Sequence, residues 1–187
     1  MTRVETFTEF RIMRLRELLK ERRCLDAPDT DHNRVMGLIK LVLDLSPGSV
    51  LEIGSHRGIS TEVFCLLCRM VIAVDPFDGE IDFSSKEFTL RCGDYPNLRL
   101  VKGKSPEALK DLPPLAFDLV YIDAEHDYES VSRDIAASWP LVAKGGHIAG
   151  HDLSEWTEVP KAVQEFLDRY GGQIKRFSDT SWAVQKQ

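Results

Sequence analysis

A buried strand followed by a glycine-spaced turn is the feature that most constrains this sequence. The apolar residues Val50 and Leu51 lead to Glu52, and Gly54 and Gly58 follow before an apolar stretch with helical spacing. Glycine lets the chain turn with no Cβ in the way and lets a ligand approach the backbone. The pattern predicts a strand, a tight turn and a helix. In an open α/β sheet, such a turn is where a nucleotide-like ligand sits.

The composition is that of an ordinary globular domain. The 187 residues are 43% hydrophobic and 29% charged, which suits one domain with a full core. The net charge of −6 argues against nonspecific binding to nucleic acid and to an anionic membrane surface. No apolar stretch approaches membrane-spanning length, and the N-terminus lacks the apolar core of a signal peptide. We therefore expect a single domain over residues 1–187 in the cytoplasm.

Residues 1–30 are predicted to form a helical extension of this domain. Apolar side chains recur at roughly helical spacing over residues 4–23, with acids and bases interleaved, which predicts an amphipathic helix with a solvated charged face. A linker containing Pro28 follows. We expect the extension to act as a lid over the substrate site or as a dimer element, so a homodimer is one assembly it allows.

Cys65 and Cys68 form a C-x-x-C pair inside an apolar segment. The sequence has no second such pair, and no histidine pair, placed to complete a zinc site. We therefore interpret the two cysteines as buried free thiols.

Strands and helices alternate along the rest of the chain. Helices are predicted from residue 30 or 31 to about 45 and at 60–69, 86–92, 128–139 and 158–169, and strands at 49–52, 71–74, 98–101, 117–122, 147–150, 173–177 and 181–185. This alternation predicts an α/β fold with a mostly parallel sheet and helices on both faces. The last two strands are expected to form an antiparallel edge.

An acid ends the second predicted strand, about 20 residues after the glycine turn. Asp75 is followed by Pro76 and Phe77, at the point where Rossmann-like folds bind a ribose diol. A loop-capping role would also explain an aspartate here. With Glu52 and Gly54 upstream, we favour the ribose role.

Acidic and imidazole groups gather at the ends of the fourth and fifth predicted strands. Asp123 ends the fourth strand, His126 follows it, and His151 and Asp152 end the fifth. All would project at the carboxyl edge of the sheet, beside the glycine turn. A strand-end aspartate and a His-Asp pair can supply two or three ligands to a divalent cation. A helix cap alone would explain Asp127 or Asp152.

These stretches resemble a known family. The sequence E-I-G-S-H-R-G at 52–58 is similar to the first motif of the class I S-adenosylmethionine-dependent methyltransferases. The segments Y-I-D-A-E-H-D-Y-E-S-V-S-R-D-I at 121–135 and P-L-V-A-K-G-G-H-I-A-G-H-D at 140–152 resemble the metal-dependent O-methyltransferases. Within that group they resemble the catechol O-methyltransferase-like branch and, more closely, the branch that acts on macrolide sugars and other natural products. The likeness covers residues 50–166.

The resemblance implies one Rossmann-like methyltransferase domain. Its sheet would have seven strands in the order 3-2-1-4-5-7-6, with the seventh antiparallel. It implies S-adenosylmethionine as the cofactor and a small hydroxylated molecule as the substrate, with no nucleic-acid or membrane partner. The cofactor-binding residues would be Glu52, Gly54, Ser55, Gly58, Asp75, Pro76, Phe77, Gly103, Ser105 and Asp123.

The resemblance also implies catalytic and metal-binding roles. Asp123, His151 and Asp152 match the positions that hold Mg²⁺ in the family, and His126 matches the general base. The family usually has Asp or Glu where His151 stands, and an imidazole suits Mn²⁺, Fe²⁺ or Zn²⁺ better than Mg²⁺. Three hypotheses stay open: a different divalent metal, a His151 that points away, or a metal-free site with a histidine base.

Ser105 allows two interpretations. With Pro106 after it, it is predicted to cap a helix whose first residue is the proline. In the resembling family, a Gly-x-Ser turn such as Gly103 to Ser105 lies against the adenine.

Two other functions stay open at this point. A nicotinamide-dependent oxidoreductase would use a similar sheet, but the third glycine is missing and an acid precedes Gly54. A non-catalytic, cofactor-binding scaffold is the other alternative, since the chain is short and has no obvious inserted substrate domain. The presence of Asp123, His126 and Asp152 together favours catalysis.

Overall fold

The computed structural model of the chain describes residues 13–15, 17, 30–78 and 83–187. Its helices and strands alternate as the sequence predicts. In chain order they are α1 (Thr30–Leu45), β1 (Ser49–Ile53), α2 (Ile59–Leu67), β2 (Met70–Asp75), α3 (Phe83–Cys92), β3 (Leu98–Lys102), β4 (Phe117–Ile122), α4 (Tyr128–Ser138), β5 (Val142–Gly150), α5 (Glu158–Tyr170), β6 (Ile174–Arg176) and β7 (Trp182–Gln185).

The seven strands form one sheet in the order β3-β2-β1-β4-β5-β7-β6. The strands from β1 to β5 pair in parallel, while β7 pairs antiparallel with both β5 and β6. The predicted α/β fold class and strand order are therefore confirmed. Since parallel strands share one direction, the loops after β1 to β5 all meet at one edge.

The core consists of two layers, one on each face of the sheet. Successive strand side chains point to opposite faces. Val50 and Tyr121 accordingly pack in the layer that contains α1 to α3, and Leu51 and Val120 pack in the layer that contains α4 and α5. Both faces are apolar, which is what a parallel sheet covered on both sides requires.

Three local predictions differ from the structure. Helix α3 begins at Phe83, three residues before the predicted start. Strand β5 begins at Val142, five residues before the predicted start. It runs irregularly through Gly145 and Gly146, and the latter passes close to the backbone of Asp118. Ser105 does not cap a helix, because a short 3₁₀ helix begins only at Glu107.

The cysteines are as predicted in the described part of the chain. Cys65, Cys68 and Cys92 are buried and free of disulfides. Burial raises the pKa of the Cys65 thiol far above its ordinary value, so the thiol stays protonated and unreactive.

Most of the predicted N-terminal helix lies outside the described residues. Of the part that is described, Leu15 packs against the layer that contains α1 to α3. No helix within the described ranges combines the length and the apolar character needed to cross a membrane.

Glu52, on β1, is fully buried. Its carboxylate accepts hydrogen bonds from the hydroxyls of Ser60 and Thr61 in the first turn of α2. Burial raises the pKa of Glu52 to about 7, although these two hydrogen bonds act in the opposite direction. The contacts hold β1 and the start of α2 at a fixed distance on either side of the glycine turn.

Glu62, on α2, is a second fully buried carboxylate. It lies 2.6 Å from Arg14 Nη2 and 3.0 Å from Arg91 Nη1. The hydroxyl of Tyr95 donates a third hydrogen bond at 3.1 Å. Two cations and a hydroxyl compensate the charge, and through Arg14 they fix the described part of the N-terminal segment to the domain.

Glu62→Ala is expected to lower the free energy of unfolding by roughly 3–5 kcal/mol, because it leaves the two arginines without their buried partner. Glu107→Ala is the matched control, since its contact with Lys110 at 3.5 Å is exposed and such pairs contribute about 0–1 kcal/mol. Urea unfolding measures both changes. Equal losses in the two variants would contradict the assigned role of Glu62.

Glu52→Gln is expected to remove a pH-dependent part of the stability. Folding raises the pKa of Glu52 from 4.5 to about 7. The protonated carboxyl therefore contributes its full share to the free energy of unfolding below pH 4.5, and this share is lost as the pH rises to about 7. The loss amounts to about 3 kcal/mol, since one pKa unit corresponds to about 1.4 kcal/mol. Urea unfolding between pH 5 and pH 8 (roughly the range of highest stability), with EDTA and without cofactor, should show wild type weakening relative to the variant. Parallel pH profiles would disprove this.

Candidate functional site

A cavity of about 990 Å³ opens at the carboxyl edge of the sheet. Its walls come from the loops after β1, β2, β3, β4 and β5, which is where parallel topology brings these loops together. The predicted site residues that line it are Gly54, Ser55, Asp75, Pro76, Phe77, Gly103, Ser105, Asp123, His126, His151 and Asp152. Of the predicted cofactor residues, Glu52 and Gly58 lie behind this wall.

Gly54 holds the turn after β1 directly against the end of β4. It has φ +90°, and a Cβ at this position would lie 2.2 Å from the carbonyl oxygen of Asp123. Its N–H donates to Val74 at 2.9 Å, and the N–H of Asp123 donates to Ile53 at 2.9 Å. A side chain at residue 54 would therefore displace the backbone that carries Asp123.

Gly58 and Glu52 support the turn from behind. Gly58 has φ +80°, and a Cβ there would lie 2.7 Å from the sulfur of Cys92 on α3. The glycine thus permits α2 to start close against α3. The carboxylate of Glu52 faces the hydroxyls at the start of α2. Direct contact of either residue with a cofactor stays a prediction.

Asp75 is held in place by the loops on either side of it. One carboxylate oxygen accepts the N–H of His56 and the other accepts the N–H of Phe77, both at 2.8 Å. His56 and Phe77 have φ of 44° and 49°, an uncommon backbone conformation for residues other than glycine. The carboxylate lines the cavity in a fixed orientation, and its predicted ribose contact stays a prediction.

Asp152 joins the two histidines of the site. Its Oδ2 lies 2.6 Å from His126 Nε2, and its Oδ1 lies 2.8 Å from His151 Nδ1. Burial alone would raise the pKa of Asp152. The hydrogen bond and charge of His151, together with the charge of His126, outweigh burial and hold this pKa well below its usual value. The carboxylate therefore stays ionised and orients both rings.

His126 also stacks on Trp156. The two ring centroids are 5.0 Å apart and the rings are inclined by 10°. The imidazole is thus held in its plane by the indole and along its edge by Asp152. Trp156 is 52% exposed and lines the cavity, so part of the indole is open to solvent and to a ligand.

The residues that come together as possible ion ligands differ in part from the predicted set. Ligand atoms of Asp123, His126 and Asp152 lie within 4.8 Å of one another. His151, the third predicted ligand, turns its Nδ1 to Asp152 and has Thr180 Oγ1 3.4 Å from its Nε2. Two carboxylates and one imidazole are a donor set that suits a divalent ion such as Mn²⁺ or Zn²⁺.

Several residues that line the cavity were not among the predicted site residues. Asp127 is one of them, and its carboxylate caps α4 by accepting a hydrogen bond from the N–H of Ser130 at 2.9 Å. Asp134 is 4% exposed and interrupts the apolar face of α4, a signal that the sequence contains. The other cavity residues outside the predicted set include Lys104, Tyr121, Glu125, Arg133 and Asp179.

The chain is similar in sequence to known methyltransferases. Residues 51–153 match the family described as "Methyltransferase domain". Over 113 residues the chain is 30% identical to "O-methyltransferase hkm8" of Aspergillus hancockii, covering 58% of this chain and 44% of that protein. It is 28% identical over 125 residues to "Uncharacterized protein y4gI" of Sinorhizobium fredii (strain NBRC 101917 / NGR234), covering 60% and 14%. The chain thus spans less than half the length of either relative.

Solved structures have the same fold. The O-methyltransferase NovP superposes with a TM-score of 0.67 at 17% identity, over 83% of this chain and 80% of that one. The O-methyltransferase from Bacillus cereus, solved in complex with SAH, gives a TM-score of 0.63 at 18% identity, over 92% and 90%. At these identities the likeness concerns the fold.

The family match covers the parts of the chain that build the cavity. It runs from β1 through the glycine turn to the residues just after β5, and thus includes Asp123, His126 and Asp152. It supports the predicted resemblance and gives no support to the nicotinamide-dependent alternative. With a sheet in the order of the class I S-adenosylmethionine-dependent methyltransferases and a family match over residues 51–153, this chain belongs to the methyltransferase domain family.

Proposed function

We propose that this protein transfers a methyl group from S-adenosylmethionine to a hydroxyl oxygen of a small molecule. The observation that carries the proposal is the His126–Asp152 pair, 2.6 Å apart, at one end of a cavity whose other walls are the glycine turn and Asp75. A histidine oriented by a carboxylate is a general-base arrangement. The relative named as an O-methyltransferase supports oxygen as the atom that is methylated.

The cavity wall offers polar atoms that suit this cofactor. The hydroxyls of Ser55 and Ser105 are buried and make no hydrogen bond of normal geometry within the described residues. Buried polar atoms are normally paired, so these two are available to a ligand. S-adenosylmethionine, when bound, supplies an electrophilic methyl group on its sulfonium. We assign its binding to the turn after β1, to Asp75 and to the turn from Gly103 to Ser105.

His126 is the proposed base. Its Nε2–H donates to Asp152, which leaves Nδ1 as the nitrogen that accepts a proton; this tautomer follows from the hydrogen bond. In the proposed reaction the oxygen–methyl bond would form while the sulfur–methyl bond breaks and S-adenosylhomocysteine leaves. Nδ1 would take the hydroxyl proton, and the carboxylate of Asp152 would stabilise the imidazolium. The stack on Trp156 keeps the ring from rotating out of this position.

A divalent ion would be held by Asp123 and Asp152, with an imidazole as the third ligand. When bound, such an ion lowers the pKa of a hydroxyl that it contacts. His151 is the third ligand that the family resemblance implies, and His126 is the one whose nitrogen lies within 4.8 Å of the two carboxylates. Ion binding by variants of each histidine distinguishes them.

The acceptor end of the cavity favours a hydroxylated ring. Asp123, Asp152 and Asp179 line the cavity, and carboxylates accept hydrogen bonds from hydroxyl groups while repelling anions. The exposed part of the Trp156 indole suits the flat or apolar face of a ring. A sugar or a phenol fits both properties, and the net charge of −6 disfavours nucleic acid. Assembly as a homodimer through residues 1–30 and a cytoplasmic location stay predictions.

Thermal unfolding with S-adenosylhomocysteine tests the cofactor. At about 100 times its dissociation constant, a ligand adds roughly 2.7 kcal/mol to the free energy of unfolding. We expect this shift with S-adenosylhomocysteine and none with NADH. Release of S-adenosylhomocysteine from S-adenosylmethionine in the presence of a panel of phenols and sugars then identifies the acceptor. Binding without any turnover over a broad panel would favour the scaffold alternative.

His126→Ala is expected to lower turnover by roughly 10²- to 10⁴-fold, the usual size of the loss of a general base. The dissociation constant of S-adenosylhomocysteine, measured by calorimetry, should change little. The control is His147→Ala, which removes a histidine of β5 that does not line the cavity. Near-normal turnover of His126→Ala with intact cofactor binding would remove this residue from the proposed role.

Titration with Mn²⁺, followed by calorimetry or electron paramagnetic resonance, tests the ion site. We expect wild type to bind one ion and Asp152→Asn to bind it at least about 10-fold more weakly, as loss of a ligand implies. Asp127→Asn, which changes a helix cap on the wall of the same cavity, is the control. A greater loss in His126→Gln than in His151→Gln would identify His126 as the ligand. Full activity in EDTA together with no Mn²⁺ binding would rule out the ion.

A further inference from the structure

The loop between β6 and β7 is bonded to the end of β5. This loop spans residues 177–181. The carbonyl oxygen of Thr180 accepts a hydrogen bond from the N–H of Leu153 at 3.1 Å, and its hydroxyl oxygen accepts one from the N–H of Asp152 at 3.2 Å. Thr180 and Asp152 have φ of 71° and 62°, a conformation that is uncommon in residues other than glycine. Two hydrogen bonds thus fix Thr180 against the residue that joins the two histidines of the site.

The hydroxyl of Thr180 also contacts His151. A hydroxyl can accept and donate at the same time, and Thr180 Oγ1 lies 3.4 Å from His151 Nε2. The contact is long for a hydrogen bond, but the imidazole is buried. Since Oγ1 already accepts the N–H of Asp152, its own proton is the one available to Nε2. A ring nitrogen that accepts a hydrogen bond carries no proton of its own.

Asp152 contacts the other ring nitrogen of His151. Nδ1 lies 2.8 Å from Oδ1 of Asp152, and an ionised carboxylate only accepts hydrogen bonds. Nδ1 must therefore carry the proton of the ring. The contacts on both sides of His151 favour the same tautomer, with the proton on Nδ1 and the lone pair of Nε2 facing Thr180. Oδ1 of Asp152 is thereby occupied, and Oδ2 faces His126 at 2.6 Å.

We infer that Thr180 is a positioning residue for the His126–Asp152 pair and that it acts through His151. Its hydroxyl holds the imidazole of His151 in one orientation and one tautomer, and this imidazole fixes the carboxylate of Asp152 with Oδ2 toward His126. The inference rests on the proposed role of His126 as the base. Because one nitrogen of His151 carries a proton and the lone pair of the other faces Thr180, His151 orients Asp152 instead of binding an ion.

Loss of the Thr180 hydroxyl would act on the site in two steps. Nε2 of His151 would face a methyl group, and burying a polar atom without a hydrogen bond is unfavourable. The ring would then turn away from its present orientation, and Asp152 would lose the fixed donor at Oδ1. The distance from Oδ2 to His126 would no longer be set. Loss of an outer contact of this kind lowers activity by roughly 10- to 100-fold.

Nuclear magnetic resonance of the ¹⁵N-labelled protein tests the tautomer directly. Long-range ¹H–¹⁵N correlation shows which ring nitrogen of each histidine carries a proton, and His151→Gln identifies the signal of His151 among the five histidines of the chain. Without cofactor and with EDTA, His151 should have its proton on Nδ1. Thr180→Val keeps the branched side chain and removes the hydroxyl, so it should shift the Nε2 resonance of His151. Thr180→Ser should leave that resonance close to its wild-type position.

Thr89→Val is the matched control. It removes a threonine hydroxyl that donates to the carbonyl oxygen of Ser85 in an exposed part of α3, and it should leave the His151 resonances unchanged. Should Thr180→Val not fold, Thr180→Ala removes the same hydroxyl and should give the same shift. A proton on Nε2 of His151 in wild type, or an unchanged Nε2 resonance in the variant without the hydroxyl, would overturn the inference. Coordination of added Zn²⁺ through Nε2 of His151 would overturn it as well.

Turnover separates positioning from a general structural role. With an acceptor from the panel described above, Thr180→Val should lower kcat by roughly 10- to 100-fold and leave the Kd of S-adenosylhomocysteine unchanged, while Thr180→Ser should retain most of the activity. A general loss of structure would weaken cofactor binding too. An unchanged kcat in Thr180→Val would overturn the inference and leave the proposed function intact. If wild type showed no turnover with any acceptor, the proposed function would be wrong and the inference would fall with it, whichever tautomer His151 had.

Discussion

The close approach of β1 and β4 at the edge of the sheet is the constraint on which the site depends. A Cβ atom at residue 54 would lie only 2.2 Å from the carbonyl oxygen of Asp123, so only glycine fits at this turn. This contact sets the distance between the turn that faces the cavity and the strand end that carries Asp123 and His126. The parallel pairing of β4 with β5 then brings Asp152 to the same edge.

Three buried carboxyls illustrate how the fold compensates charge. Glu52 is bonded to hydroxyls, Glu62 to two arginines and a tyrosine, and Asp152 to two imidazoles. Each of these joins two elements of the fold or orients a side chain. The same contacts that offset the cost of burying a carboxyl thus also fix the geometry of the fold and of the site.

The alternation of strands and helices could be predicted from local signals in the sequence, whereas the order of the strands came from the family resemblance. The glycine turn and the alternation of apolar runs determine a parallel sheet, and the hairpin of β6 and β7 follows from short apolar runs separated by polar residues. The fifth strand begins five residues before its predicted start at residue 147, because pairing with β4 carries the strand through Gly145 and Gly146. Pairing with the neighbouring strand outweighed the preference of the two glycines for a turn.

The candidate site could be predicted only in part. Sequence position brings Asp123, His126, His151 and Asp152 to one edge, and the structure agrees. It does not determine which imidazole faces the two carboxylates, because that depends on side-chain rotation and on Thr180 from a distant loop. Asp134 was detectable as an acid on the apolar face of α4, but its place in the cavity wall is a three-dimensional property.

The stack of Trp156 on His126 gives the protein an internal optical probe. Trp182 is fully buried, whereas Trp156 is 52% exposed and lies at a ring-centroid distance of 5.0 Å from His126. An imidazolium quenches indole emission more strongly than a neutral imidazole does. The part of the emission that comes from Trp156, one of the three tryptophans of the chain, therefore follows the arrival of an acceptor and the charge of the adjacent ring, with no label and with no need to know the substrate beforehand.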